Sequence, residues 1–228
     1  MSTNTSSRDV RTRGLVLRRT NYGEAERILS VITPEGKMAV MAKGVRRPRS
    51  KLAGAVEMFT LSELNVHFGR SGMGVLTGAK MLEHYGELVK DLERLELASM
   101  FLKMTDRASE NSGNSEFYEV IRQGLEGLNK GVNPKLVEAW FLLNLKKAVG
   151  EEINLYRDTR GQKLVADERY EWNEMEEAFD VRESGSYGAN EIKVLRLLSS
   201  VDLKTATRIK VDEAMMDKTL SLAKRWAQ

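Results

Sequence analysis

Pro34-Glu35-Gly36-Lys37-Met38-Ala39-Val40-Met41-Ala42-Lys43-Gly44-Val45-Arg46-Arg47-Pro48-Arg49-Ser50-Lys51 contains a turn, a strand and a loop in eighteen residues. Pro34 and Gly36 supply the chemistry of a tight hairpin connection. Met38–Lys43 reads as the returning strand. Five cations then fall between Lys43 and Lys51 with no acid among them. Gly44 and Pro48 interrupt this run, which makes it a loop rather than a helix face. A basic loop between two strands of a small barrel is the arrangement expected to hold a nucleic-acid backbone.

Working outward, Arg13–Arg19 reads as the first strand, and Asn21-Tyr22-Gly23-Glu24 as a turn. Arg27–Thr33 is the second strand. Phe59–Phe68 is the fourth, with apolar residues that change phase from Phe59 and Leu61 to Leu64, Val66 and Phe68. That change predicts a β-bulge between Ser62 and Glu63. Gly74–Leu82 is a weaker fifth strand after the turn Gly69–Gly72. Five short strands with Gly-rich turns fit an OB-type barrel, and an SH3-like barrel gives the same periodicity.

From Glu87 the period becomes helical. Leu88, Leu92, Leu95, Ser99 and Leu102 form one stripe, widened by Ala98, Phe101 and Met104. Ser115 can cap a second helix bearing Phe117, Ile121, Leu125 and Leu128. Asn133 and Pro134 start a third, Pro134–Val149, which Gly150 stops. That helix is apolar nearly all round and is expected to be central and buried. Residues 151–188 hold eleven acids and five cations with few aliphatics. They are expected to be an irregular insert with a hairpin of Lys163–Val165 against Tyr170–Trp172. Asn190–Ser200 and Asp212–Trp226 resume helical spacing. The fold class is therefore α+β in two domains. A disordered tail, 1–12, precedes a five-stranded OB-fold barrel, 13–85, and a mostly helical domain, 86–228.

The net charge of +3 is unevenly spread. Residues 1–85 carry a balance of +7 and residues 86–228 one of −4. A basic first half suits a polyanion-binding module. With no cysteine, disulfides and thiolate metal sites are excluded, and a cytoplasmic location is expected. No apolar run reaches the roughly 18–20 residues that span a bilayer. The Ser/Thr/Asn-rich Met1–Asp9 lacks the apolar core of a signal peptide.

Groups for catalysis are scarce. His67 and His84 are the only histidines, both at strand positions suited to a surface or groove. No P-loop, nucleophile elbow or zinc-protease motif is present. Gly69–Gly74 lacks the lysine and following helix of a phosphate loop. The acids of Glu171–Asp180 lack the spacing of a calcium loop. No catalytic residue, metal or cofactor is expected, and the chain is read as a non-enzyme. The candidate nucleic-acid contacts are Lys43, Arg46, Arg47, Arg49 and Lys51, extended by Arg18, Arg19 and Arg70. Tyr22, in a turn, is available for base stacking, whereas Phe59 and Phe68 read as core. Trp140 and Trp226 also read as core.

The order of several segments resembles the opening of the bacterial RecO family of recombination mediators. These are Gly14-Leu15-Val16-Leu17, Tyr22-Gly23-Glu24, Arg27-Ile28-Leu29, Thr33–Lys37, Ala42–Pro48, and Ser50 with Leu52-Ala53-Gly54 and Phe59. The similarity continues more loosely through Asp91–Arg94 and Trp140–Gly150. The resemblance implies an OB-fold followed by a helical domain. It implies binding of single- and double-stranded DNA and annealing of complementary strands. It also implies work with RecR to load RecA on DNA covered by single-stranded-DNA-binding protein, whose C-terminal tail docks on the helical part. Lys146 and Lys147 are candidates for that tail. Many members carry a four-cysteine zinc element, which residues 154–188 here cannot form. The alternative reading from the barrel alone is an RNA- or ribosome-binding protein.

Overall fold

The computed structural model describes residues 8–69, 72–110 and 115–227. The chain forms two compact units, residues 1–129 and 130–228.

The first unit is built on five strands: β1 (Arg8–Tyr22), β2 (Glu26–Thr33), β3 (Gly36–Ala42), β4 (Thr60–Phe68) and β5 (Gly74–His84). They close into a barrel in the order β1-β2-β3-β5-β4. All pairings are antiparallel except β3 with β5, which is parallel and only two residue pairs long, Val40 to Gly74 and Met41 to Val75. This parallel closure, with β4 reaching back to β1, is the OB arrangement rather than a simple meander. The interior holds Val16, Leu29, Val31, Val40, Ala42, Val45, Val56, Leu64, Val66 and Leu76.

β1 begins at Arg8, five residues before the Arg13 expected, because residues 8–15 form a continuous ladder with β4. The remainder of the expected tail, 1–7, lies outside the described residues. β1 carries a bulge of its own: Val16 faces Val31 and Arg18 faces Ser30, leaving Leu17 as the extra residue.

The bulge expected within β4 lies instead on its partner. β4 pairs with β1 without interruption, while its register against β5 shifts at Leu61/Ser62 and at Asn65/Val66, where Leu82 and Thr77 are the extra residues. The apolar phase of β4 changes for a different reason. Its first interior positions are Thr60 and Ser62, both buried. The Ser62 hydroxyl donates to the Ala55 carbonyl at 2.7 Å, and Thr60 Oγ1 lies 3.0 Å from His84 Nδ1. Buried hydroxyls with partners can replace aliphatics there at little cost.

Two helices complete this unit, α1 (Leu92–Ala108) and α2 (Glu116–Asn129). α2 buries Phe117, Ile121, Leu125 and Leu128, as its spacing predicts. α1 differs from its expected stripe. Leu88 is buried but belongs to a separate 3-10 turn, and Asp91 caps α1 by accepting from the Arg94 backbone N–H. The first helical residue, Leu92, is 71% exposed, and Ser99 is also exposed. The buried face runs through Ala98, Phe101, Leu102, Thr105 and Asp106.

The second unit is organised on α3 (Pro134–Val149). Asn133 Oδ1 accepts from the Lys135 and Leu136 amides, and Gly150 ends the helix in the left-handed region at φ 95°. Ten of the sixteen helical residues are buried, which makes it the core helix expected. α4 (Ala189–Ser200), α5 (Leu203–Ala206) and α6 (Glu213–Trp226) surround it. Trp140 Nε1 donates to the Val201 carbonyl at 2.8 Å, and Asn144 donates to the Leu198 carbonyl at 2.9 Å.

The insert forms a hairpin, but not the one expected. β6 (Tyr170–Asn173) pairs with β7 (Ala178–Val181), while Lys163 bridges to Arg157. Val165 meets Tyr170 through a side chain: its N–H donates to the phenol oxygen at 2.8 Å. Burial of Phe179 selects β7, since its ring packs edge-on against Tyr170, Trp172 and Tyr187. Trp172 also meets Trp226 edge-on, with centroids 6.0 Å apart. Buried Asp158 holds the preceding turn by accepting from the Arg160 and Gln162 amides.

Candidate nucleic-acid interface

The loop after β3 is anchored at both ends and in the middle by apolar residues. Ala42, Val45 and Val56 are buried in the barrel core, and Leu52 packs against it. Gly44 takes φ 63°, a conformation costly for side chains with a Cβ. The stem of Arg47 folds to within 3.7 Å of the point where that Cβ would stand. Backbone bonds from Arg47 to Gly44, from Ser50 to Arg47 and from Ala53 to Ser50 turn the loop stepwise. Arg46 ties it to the β1–β2 turn: its N–H donates to the Ala25 carbonyl at 3.0 Å, and its Nη1 to the Gly23 carbonyl at 3.3 Å.

These bonds leave Lys43, Arg46, Arg47, Arg49 and Lys51 exposed. Among the described residues, none of the five is paired with a carboxylate. Tyr22 is not in the turn expected but ends β1, paired with Glu26; it is 54% exposed beside the turn that Arg46 grips, so the loop and an aromatic are brought to the same end of the barrel. Phe68 is only partly buried, packed at the edge of the core beneath the Arg8 guanidinium.

The bulge at Leu17 separates the other two candidates. Without an extra residue, Arg18 would share the interior phase of Val16. With it, Arg18 turns outward beside Ser30, and Arg19 takes the interior row beside Leu29. Arg19 therefore lies at the barrel mouth, where it pairs with Glu57, and Arg27 approaches the same carboxylate at 3.5 Å. Arg18 reaches Asp106 of α1, its Nε 2.8 Å from Oδ2. Arg70 lies outside the described residues. Lys146 pairs with Glu151 at 2.7 Å and covers the Trp226 ring, while Lys147 reaches the Ser199 carbonyl and Glu152. Both close the negative end of α3.

Sequence reasoning missed Arg27, Lys37 and Asp106. Arg27 is legible in retrospect, because it alternates with Leu29 and Val31 and so continues their interior row to the open end of the barrel. Asp106 carries no local signal; its partners are 69 to 88 residues away.

Two family descriptions match this architecture. "Recombination protein O N terminal" matches residues 7–85, and "Recombination protein O C terminal" matches residues 89–228. The chain belongs to the recombination protein O family. Relatives called DNA repair protein RecO include one from Roseiflexus sp. (strain RS-1), 33% identical over 147 residues. That match covers 64% of this chain and 52% of the relative. The RecO of Bacillus cytotoxicus is 30% identical over 148 residues, covering 64% of this chain and 58% of the relative. The RecO of Dehalococcoides mccartyi is 28% identical over 229 residues, covering 97% of this chain and 90% of that protein. The chain thus spans little more than half the length of the first two RecO relatives, and most of the third. Among the described residues, no helix is long and apolar enough to cross a membrane.

Proposed function

We propose that this protein is a DNA-binding recombination mediator in DNA repair. It binds single- and double-stranded DNA, anneals complementary strands and, with RecR, helps load RecA on strands covered by single-stranded-DNA-binding protein. The observation that carries this reading is the set of five exposed cations without acidic partners, held by a pinned loop on an OB barrel of the RecO family. The arginine forks take phosphate oxygens, and the lysines act as point charges. Two DNA strands repel each other, and a cationic surface lowers that repulsion by releasing counterions. Base pairing between the strands supplies the sequence specificity, so base-edge readout by the protein is not needed. Tyr22 offers a stacking platform that tolerates any base. Arg19, at the mouth, extends the cationic surface toward the loop, and Arg70 is a further proposed contact.

The acidic surplus beyond residue 85 suits protein docking more than DNA binding. We assign contact with RecR and with the tail of single-stranded-DNA-binding protein to that part of the chain. Lys146 and Lys147 would have to exchange Glu151 and Glu152 for a tail carboxylate. The role requires no bond-breaking step, metal or cofactor, and it belongs in the cytoplasm at the nucleoid.

The test is Arg46→Ala with Arg47→Ala, read by oligonucleotide binding across a salt series. Binding is expected to weaken, and the log K against log salt slope to flatten by about 1.4 on single strands, at about 0.7 per phosphate contact. An unchanged slope overturns the assignment of the loop. Annealing of complementary strands covered by single-stranded-DNA-binding protein separates this reading from an RNA- or ribosome-binding barrel, which would prefer RNA in competition and give no acceleration.

A further inference from the structure

The outer face of β1, β2 and β3 carries a cationic cluster already occupied by the protein itself. Arg18, Ser30 and Ala39 form one row across the three strands, and Lys37 stands two residues from Ala39 on the same face. Three donors from this face converge on the Asp106 carboxylate. Arg18 Nε lies 2.8 Å from Oδ2, Lys37 Nζ 2.8 Å from Oδ1, and Ser30 Oγ 2.6 Å from Oδ1. An oxyanion held by a guanidinium, an ammonium and a hydroxyl has the surroundings that a phosphate oxygen takes.

The cluster opens on a groove of about 520 Å³, lined by Arg18, Thr20, Ile28, Lys37, Met38 and Ala39 among others. Arg18 spends its Nε on Asp106 and one Nη1 hydrogen on Thr20, at 3.3 Å. Its Nη edge stays open, since the side chain is 59% exposed. Glu110 stands 3.9 Å from Lys37 at the rim. Two acids and two cations therefore cancel on this face, whereas the loop cations elsewhere on the barrel are uncompensated. Burial pushes the Asp106 carboxyl up, but hydrogen bonds from Lys37, Ser30 and Arg18 outweigh it and keep the group ionised near neutral pH.

We propose that this face is a second binding site for a nucleic-acid phosphate, and that the Asp106 carboxylate fills its cationic end as a built-in competitor. The proposal rests on the DNA-binding reading above and adds a second contact to it. A backbone entering the groove meets the Nη edge of Arg18 first. Full engagement requires its phosphate to replace Asp106, so the site is held weak until a strand already bound at the loop supplies a high local concentration.

The test measures binding of a single-stranded oligonucleotide over a salt series, with thermal melting as the check on folding. Asp106→Asn keeps the shape and the acceptor for Ser30. It is expected to tighten binding several-fold and to steepen the log K against log salt slope by about 0.7, one further phosphate contact. Arg18→Ala in the Asp106→Asn background removes the gain. Glu110→Gln, at an exposed position with little bearing on folding, gives a smaller gain in the same direction. Unchanged affinity and slope in Glu110→Gln and in folded Asp106→Asn overturn the proposal; if Asp106→Asn does not fold, the Glu110→Gln result decides alone. The Arg46→Ala, Arg47→Ala pair is measured alongside. If that pair loses binding while these variants match the wild type, the second site fails and the DNA-binding reading stands. If that pair also matches the wild type, the loop assignment fails too; the DNA-binding reading itself fails if the wild type binds no oligonucleotide.

Discussion

Asp106 shows how one residue acquires an electrostatic role from the fold. It is nearly buried on α1, and its carboxyl is held below the ordinary value of 3.8 despite the desolvation that opposes this. The sign of its pH effect follows. A carboxyl whose pKa is depressed in the folded state contributes stability above its unfolded pKa, and that contribution is lost as pH falls through the folded value. Wild-type melting temperature is therefore expected to drop as pH is lowered from about 4 through the depressed range. Asp106→Asn should show a shallower drop, measured by thermal melts across that window. If the two profiles remain parallel, the carboxylate contributes no linkage. Val45 is the apolar counterpart, a buried residue amid the five loop cations. Val45→Ala is expected to cost about 1–3 kcal/mol of stability by lost burial and cavity formation. Chemical denaturation measures that loss, and a cost near zero would mean the loop is not anchored there.

At the scale of elements, capping decides where α3 stands. Asn133→Ala removes the acceptor for two backbone amides and is expected to cost about 1 kcal/mol. Gly150→Ala places a Cβ at φ 95° and is expected to cost about 1 kcal/mol or more. Both are checked by urea midpoints, with the m-value unchanged. These signals are local, which is why the sequence reading of α3 matches the structure residue for residue. α2 and the five barrel strands were also legible in their order and type, because their turns and periods are local, but the strand ends were not: β1 runs from Arg8 to Tyr22 and β5 on to His84. α1 was less legible, because its N-cap at Asp91 starts the helix after Leu88 and leaves Leu92 exposed, so the face that turns inward is the Ala98, Phe101 and Leu102 side of the expected stripe. The β4 phase change was visible, but its cause was not. Thr60 and Ser62 look like surface residues until Ala55 and His84 are brought against them.

For the whole molecule, the non-local contacts are the part that sequence does not announce. The strand partner of Tyr170–Asn173 is chosen by an aromatic cluster that draws on Phe179, Tyr187 and Trp226, not by the nearest apolar run. That cluster, with Asp158 in the adjoining turn, organises the insert in a chain without cysteines. Trp172→Ala is expected to cost about 3–5 kcal/mol. A chelator such as EDTA should leave the wild-type melting temperature unchanged. A large drop with chelator would show that a metal supports the fold. The candidate site divided in the same way: the loop cations were legible as a run, whereas the parting of Arg18 from Arg19 depends on one unpaired residue, Leu17. The closure of the barrel also has a consequence for its motion. β3 and β5 are clasped by two residue pairs, one of them made by Gly74, whose absent Cβ would fall 2.5 Å from Val66. A cuff unfastens at its clasp, so amide exchange should be fastest there and slowest along the eight-pair β1–β4 ladder. Since the basic loop leaves β3 one residue past Met41, each unfastening would loosen the loop, and under the DNA-binding reading proposed above a bound strand would have a route of release that leaves the rest of the barrel intact.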